Sequence, residues 1–488
     1  MFQMVGRASI TYNTFKKNEI PNDVKNTIRR CFIFLNNSKK ELYKKFLLES
    51  FPVESSLNHF IHNHLLTEIS NGIIKSKQEC VDWITWTFFY RRLLKNPNYY
   101  DMKGNSKEFL NEYLSELIEN TVNDLFNSGM INVKEDNSLE ILNLGKISSN
   151  YYITYQTIDL FNQSFKEENS GNIQFYSLFQ ILKNSFEFDL IEFNKGDINL
   201  LFEICQSLNN KSLNYLSDDI KQALKNPENE SSSFTFSNPH NKALILLISY
   251  ISRTPIPYQL NLDMENIIIT SVNLISSLVD VFSSKQLLKQ SIYSMELSQM
   301  IIQAMWISQS PLMQLPTFNS ELCNQCKEIE VEDISDFVNL DERDRNTLLS
   351  HLDKENIAKI ANVCNRYPEI NLEIKFIDDN NNFNLGDNIC AEIILNRTLI
   401  DNSNNGILTN VYSNYYPKVK EENWWIIIGD EVSNKLFFIR KLYFNKSLKI
   451  PVNFEGPESE GIYSYKVFLI CDSWIGCDQE ENFEFSVQ

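Results

Sequence analysis

Residues Cys364-Asn365-Arg366-Tyr367-Pro368 are followed at once by Leu372-Glu373-Ile374-Lys375-Phe376, and between them the period of the chain changes. Upstream, apolar residues recur at helical spacing: Val81, Ile84, Phe88 and Phe89, then Leu110, Leu114, Leu117, Ile118 and Leu125. Downstream they recur at every second residue, the signature of half-buried strands. Ile389 to Leu395, Trp425 to Ile428, Lys435 to Phe444, Ile450 to Phe454 and Tyr463 to Ile470 read the same way. Six or seven short strands after Pro368 predict an immunoglobulin-like sandwich without the antibody Cys-Trp-Cys pattern. The fold class is therefore multidomain, mainly α, with a C-terminal all-β domain.

Working outward, Met130-Ile131-Asn132-Val133 before a polar turn suits the β wing of a winged helix. From Leu142 to about Ile307 the pattern is helical almost throughout, divided by Pro239, Pro255 and Pro257. A short helical hairpin follows, bracketed by Pro311, Pro316 and Pro368. At 488 residues, two to four domains of about 100–200 residues each are expected. A hydrophobic content of 43% is globular and leaves no need for disulfides or metals as staples.

Charge argues against an autonomous grip on nucleic acid. The net charge is −18, whereas phosphate-backbone binding releases counterions through cationic side chains. Residues 1–50 hold ten Lys and Arg against four acids, a local +6 that leaves −24 for the remainder. The nine cysteines read as reduced, buried thiols of a cytosolic or nuclear protein. The most apolar stretch, Ala243 to Ile251, falls short of the roughly 20 residues a membrane span needs. The start of the chain has no signal-peptide pattern, and no membrane anchor is expected.

Catalytic patterns fail one by one. The 13 glycines form no phosphate-cradling loop leading to Gly-Lys-Ser/Thr. Asp341-Glu342-Arg343-Asp344 could imitate the magnesium-holding acids of a helicase, but reads as a solvated helix start. Cys323-Asn324-Gln325-Cys326 has zinc spacing without a second ligand pair, and His59, His62 and His64 lack an acidic ligand pattern. With five histidines and no Gly-x-Ser-x-Gly elbow, nucleophile triads have few possible bases. No catalytic residue, cofactor or metal is expected.

Four motifs taken together carry a family resemblance: Cys364 to Pro368, Glu422-Asn423-Trp424-Trp425 with Ile428-Gly429-Asp430, Gly476-Cys477-Asp478-Gln479-Glu480, and Asn96-Pro97-Asn98-Tyr99-Tyr100. The chain resembles the C-terminal, second-cassette Sec-63-type region of the Ski-like superfamily-two RNA helicases, above all the spliceosomal one of the U5 small nuclear ribonucleoprotein. The resemblance implies a remnant of the second RecA-like lobe at 1–20 and a winged helix at 21–141. It then implies a helical bundle at 142–310, a helix-hairpin-helix module at 311–368 and an immunoglobulin-like (fibronectin-III-like) sandwich at 369–488. Gln3, Gly6 and Arg7 match a vestigial sixth helicase motif, although Ile10 stands where that motif has its second arginine.

In active cassettes a ratchet helix presents basic side chains to single-stranded RNA before a Met-Trp pair. The matching stretch is Met295 to Trp306, with Gln299, Gln303 and Ala304 inward, so the resemblance implies a neutralised ratchet. The candidate nucleic-acid path is Gln299 and Gln303 with Arg91 and Arg92. Trp424, Trp425 and Trp474 suit a partner surface, with a place in the core as the alternative. The implied role is a non-catalytic nuclear scaffold for spliceosomal proteins, touching RNA weakly or indirectly and joined, where needed, by a helicase core in trans. Two other roles stay open: the severed end of an ATP-dependent helicase, and an autonomous single-strand RNA-binding module. The sandwich is expected to be removable without unfolding the bundle.

Overall fold

The computed structural model describes residues 32–48, 53–102, 104, 106–164, 175–225, 230–376, 382–398 and 410–488. The motif residues Gln3, Gly6 and Arg7 and the whole of 1–20 lie outside them. The chain forms two compact units, Met1–Phe60 with Asp82–Leu114, and Ile61–Val81 with Ser115–Gln488.

After a helix at Lys40–Leu48 come α1 (Leu57–Ser70), α2 (Lys77–Thr85), α3 (Phe88–Lys95) and α4 (Lys107–Asn127). They are followed by a two-stranded wing, β1 (Ile131–Val133) antiparallel to β2 (Leu139–Ile141). In the first unit Thr87 caps α3 by accepting from the Tyr90 N–H.

Shorter helices from Asn143–Tyr151 to Glu230–Ser237 lead into the three that build the bundle core. These are α5 (Pro239–Ile251), α6 (Asn261–Ser284) and α7 (Leu288–Gln303). Asn238 caps α5, and Pro239 occupies its first turn, where a missing N–H costs nothing. Every residue from Asn241 to Ile251 is buried, which accounts for the apolar run. Among the described residues the stretch Tyr258–Ser284, not Ala243 to Ile251, is the one long and apolar enough to cross a membrane. It is a core helix here, with 61% of its most apolar window buried inside the protein.

Four short helices follow: α8 (Ser320–Glu328), α9 (Ile334–Asn339), α10 (Glu342–Leu348) and α11 (Lys354–Cys364). Asp333 and Asp336 form a reciprocal capping box on α9. Asp341 to Asp344 sit at the start of α10, where acids complement the helix dipole.

The sandwich consists of β3 (Ile370–Phe376), β4 (Asn382–Phe383), β5 (Asn388–Arg397), β6 (Trp424–Asp430), β7 (Lys435–Leu442), β8 (Ser447–Glu455), β9 (Gly461–Cys471) and β10 (Gln479–Val487). One sheet has the order β4-β10-β9-β6-β7, the other β3-β5-β8. Pairing is antiparallel except for β4 beside β10. The sequence reading missed β10. Its opening Gln479-Glu480-Glu481-Asn482 looks like a loop, and only Phe483, Phe485 and Val487 at alternate positions reach the core.

Strand β6 decides the architecture. Trp424, Ile426 and Ile428 point into the core between the two sheets. Trp425 and Ile427 point the other way, into a second core with Val279 of α6 and Leu288 and Met295 of α7. At Gly429 a Cβ would lie 2.7 Å from Leu288 Cδ1 and 2.9 Å from the Lys435 carbonyl, so only glycine lets α7 approach this closely. The bundle and the outer face of the large sheet thus share a core. This corrects the expected independence of the sandwich.

Candidate functional site: the seam between helix and sandwich

Gln299 and Gln303 lie one turn apart on α7 and therefore on one face. That face meets the loop Cys471 to Asp478, which joins β9 to β10. Gln299 Nε2 donates to the Cys471 carbonyl and to Asp478 Oδ2, each at 2.8 Å. Gln303 Nε2 donates to the Ser473 carbonyl at 2.8 Å and to the Tyr412 carbonyl at 3.3 Å. The Ser298 hydroxyl adds a bond to the Asp472 carbonyl at 3.0 Å.

The same loop is held from the other side. Gln314 both donates to the Ile475 carbonyl at 2.8 Å and accepts from its N–H at 2.9 Å. The Tyr367 hydroxyl donates to that carbonyl at 3.1 Å, and its ring stands edge-on to Trp474 at 5.5 Å. Gly476 adopts φ 88°, and a Cβ there would touch Pro311 at 3.0 Å. The Cys364 to Pro368 and Gly476 to Glu480 motifs therefore meet in space at Tyr367 and Trp474.

Two carboxyls sit at the seam. Asp478 accepts from Gln299 and, through Oδ1, from the Cys471 N–H at 2.7 Å, yet burial pushes its pKa up to about 6. Glu296, one turn before Gln299 on α7, is pushed up to about 7 by burial and by the charge of Asp478. Both line an open cavity of about 450 Å³ with Lys289, Tyr293, Glu431 and Glu480.

This geometry overturns two sequence-based assignments. Gln299 is fully buried and Gln303 is 3% exposed, both bonded to the sandwich backbone, so neither faces a path for RNA. Ala304, in left-handed conformation at φ 49°, simply ends α7. Trp306 stacks on Tyr215 at 4.5 Å and donates to the Ser252 hydroxyl. Trp424, Trp425 and Trp474 form no partner surface: they are 0%, 2% and 0% exposed. Trp424 and Trp425 are buried because β6 has protein on both faces, and Trp474 because Tyr367 covers its loop. Trp424 Nε1 donates to Glu422 Oε1 at 2.7 Å, and Arg397 grips the same carboxylate through both amino groups at 2.8 and 3.0 Å.

In the first unit, Arg92 is also committed elsewhere. Its Nη2 lies 2.5 Å from Glu54 Oε1 and its Nε 3.1 Å from Oε2, while Asn96 and Tyr100 donate to the same carboxylate. These bonds hold Glu54 at about 2. Of the expected nucleic-acid path only Arg91 stays exposed, on α3. Asn96 and Tyr100 show what the Asn-Pro-Asn-Tyr-Tyr motif does: it closes this cluster around Glu54.

His62 Nε2 lies 3.0 Å from Asp124 and its ring stacks on Tyr155. Cys323 and Cys326 are buried on α8, where burial pushes the Cys326 thiol up to about 11.

A wing followed by a helical bundle locked to a two-sheet sandwich defines a multidomain unit in which the last bundle helix is clamped by the β domain. Comparison with known proteins agrees. The winged helix-turn-helix domain family matches residues 54–135, and the Sec63 Brl domain family matches residues 141–484. The chain belongs to the Sec63 Brl domain family. It is 35% identical over 491 residues to the DExH-box ATP-dependent RNA helicase DExH12 of Arabidopsis thaliana, covering 100% of this chain and 21% of that one. The U5 small nuclear ribonucleoprotein 200 kDa helicase of Homo sapiens is 36% identical, over 94% of this chain and 20% of that one. The pre-mRNA-splicing factor brr2 of Schizosaccharomyces pombe is 35% identical, over 92% and 19%. The chain spans about a fifth of the length of the curated relatives it matches.

Proposed function

We propose that this chain is a non-catalytic, Sec63-type scaffold that binds proteins of the U5 particle during pre-mRNA splicing, in the nucleus and without a cofactor of its own. One observation carries the reading. The helix that would have to hold a strand spends Gln299 and Gln303 on the sandwich backbone and offers no cation there. Without cationic contacts there is no counterion release, and RNA contact is weak or indirect. The printed names of the relatives, a U5 helicase and a pre-mRNA-splicing factor, support the spliceosomal assignment. The domain division at residues 21–141, 142–310, 311–368 and 369–488 goes with this reading, with the bundle and sandwich acting as one body.

A second reading is that the chain works as the Sec63-type part of an ATP-dependent RNA helicase, its ATPase core supplied in cis or in trans. The same relatives are named helicases, and they extend well beyond the matched region.

Immunoprecipitation from nuclear extract with an antibody to residues 369–488 tests both. Enrichment of U5 over U1 RNA, in a precipitate lacking RNA-stimulated ATPase, is the outcome expected. Absence of U5 enrichment sinks the spliceosomal role. Enrichment in a much larger chain with ATPase activity favours the helicase reading.

A further inference from the structure

Several buried cations of this acidic protein are matched to carboxylates. Lys242, fully buried, sits 2.6 Å from Asp197 and 2.7 Å from Asp263. Arg397 has Glu422, Lys420 has Asp472, and Arg92 has Glu54. Arg253, half-buried, has no such partner among the described residues. Its Nε donates to the Ala304 carbonyl at 2.8 Å, and its Nη2 to the Gln303 and Met313 carbonyls at 3.2 Å each. The guanidinium carbon stands 4.6 Å from the centre of the Tyr415 ring. The ionisable groups that bear on it are Tyr415, Tyr250 and Cys323, none of them a carboxylate.

Two of those three carbonyls close the C-terminus of α7 and carry about half a unit of negative charge between them. The remainder of the positive charge has no carboxylate beside it among the described residues, and a half-buried cation gains from an anionic partner. Nη1, with its two N–H donors, meets nothing among the described residues.

Arg253 lines a partly enclosed cavity of about 340 Å³ where the bundle, the short helices and the sandwich meet. Lys359, Asn356, Asn414, Tyr412 and Tyr415 line it too, and none of its lining residues is acidic. In a chain with 63 acids against 45 Lys and Arg, that exclusion is a chemical signal. Lys359 is held at 2.8 Å by Glu355, but this exposed pair one helical turn apart is screened by water and yields readily to a stronger anion. The backbone is strained at the same place. Arg253 (φ 52°), Ala304 (φ 49°) and Thr317 (φ 66°) are all left-handed without being glycine, and Thr317, β-branched, lines the cavity. Such strain gathers where a ligand is clamped. Nearby, the buried Tyr250 hydroxyl has no hydrogen-bond partner, and Tyr416 and Arg253 bear on it.

We propose that this junction is a binding site for a phosphate monoester, held by Arg253 Nη1, Lys359 and the side-chain amides of Asn356 and Asn414. A phosphate monoester brings close to two negative charges and three acceptor oxygens, matching two cations and several separate donors. A carboxylate has one charge and two oxygens and leaves donors unmet. The group can arrive on a small molecule or on a phosphorylated side chain of a partner.

Calorimetric titration of the full chain at fixed ionic strength decides the matter, with O-phospho-L-serine, a Gly-Gly-phosphoserine-Gly-Gly peptide, its unphosphorylated form, and acetate. Saturable one-to-one binding of a phosphorylated probe, with none by the other two, is expected. Tighter binding of the peptide assigns the site to a phosphorylated partner, and equal affinity to a free metabolite. Lys359→Glu and Asn414→Asp, both at exposed positions, should each weaken binding about tenfold while the circular dichroism stays unchanged. Failure of both phosphorylated probes to saturate, equal binding of acetate, or full affinity in both variants overturns the assignment.

Discussion

Strands β5 and β6 belong to opposite sheets of one sandwich, and they differ in what lies behind them. In β5, buried residues alternate with partly exposed ones: Ile389, Ala391, Ile393 and Leu395 face the core, while Glu392 and Asn396 face outward. In β6, six consecutive residues from Trp424 to Gly429 are buried. A sheet with one wet face produces alternation, and a sheet covered on both faces produces an unbroken apolar run. The three-stranded sheet is therefore an ordinary outer wall. The five-stranded sheet is an internal partition, with α7 packed behind it. The lesson is that the β domain and the bundle are not modules on a string.

The strongest way to break this comparison is to remove the sandwich. A chain ending before residue 369 leaves Val279, Leu288 and Met295 uncovered and Gln299 and Gln303 without partners. The truncated bundle is expected to lose its near-ultraviolet circular dichroism and to aggregate. A cooperative, monomeric bundle would mean that the shared core contributes little.

Single substitutions come next. Trp425→Ala opens a cavity in the partition and should cost about 3–5 kcal/mol in denaturant unfolding. Glu392→Ala on the outer wall loses only its exposed pair with Lys449 and should cost under about 0.5 kcal/mol. Comparable losses at the two positions would erase the distinction.

The pH dependence sharpens it further. Glu296 and Asp478 have pKa values raised by burial to about 7 and about 6, from ordinary values of 4.5 and 3.8. A raised carboxyl binds its proton more tightly in the folded state than in the unfolded one. Its contribution is therefore fully present below pH 4 and is lost as the pH climbs to about 7. Glu296→Gln should stabilise the protein by about 1–3 kcal/mol at pH 7.5, have little effect at pH 4, and flatten the profile between. An unchanged profile would show that Glu296 is solvated. At Gly429→Ala about 1–3 kcal/mol of overpacking is expected, partly relieved if Leu288 turns aside. No loss there would mean that α7 does not press on the sheet.

Much of this was legible in the residues. The switch of period at Pro368 marked where helices give way to strands, because side-chain alternation follows directly from backbone geometry. The Trp425 to Ile428 run was legible as a strand but not as one buried on both faces, and its tryptophans were read as a partner surface with the core as the alternative. What covers it could not be read, since α7 lies more than a hundred residues earlier. The same distance hid the fate of Gln299 and Gln303. Their spacing puts them on one face, but only the loop 471–478 decides that the face is occupied.

The order of elements, the caps at Asn238 and Asp333, the neutrality of the ratchet-like helix and the overall acidity were set by the sequence itself, because each depends on residues within a few positions or on simple counting. The burial of three tryptophans, the engagement of two glutamines, the raised carboxyls of Glu296 and Asp478 and the unmatched charge of Arg253 were decided only by the tertiary structure. These properties arise from desolvation and from partners distant in sequence, and water is excluded from a group only by what the whole fold places around it.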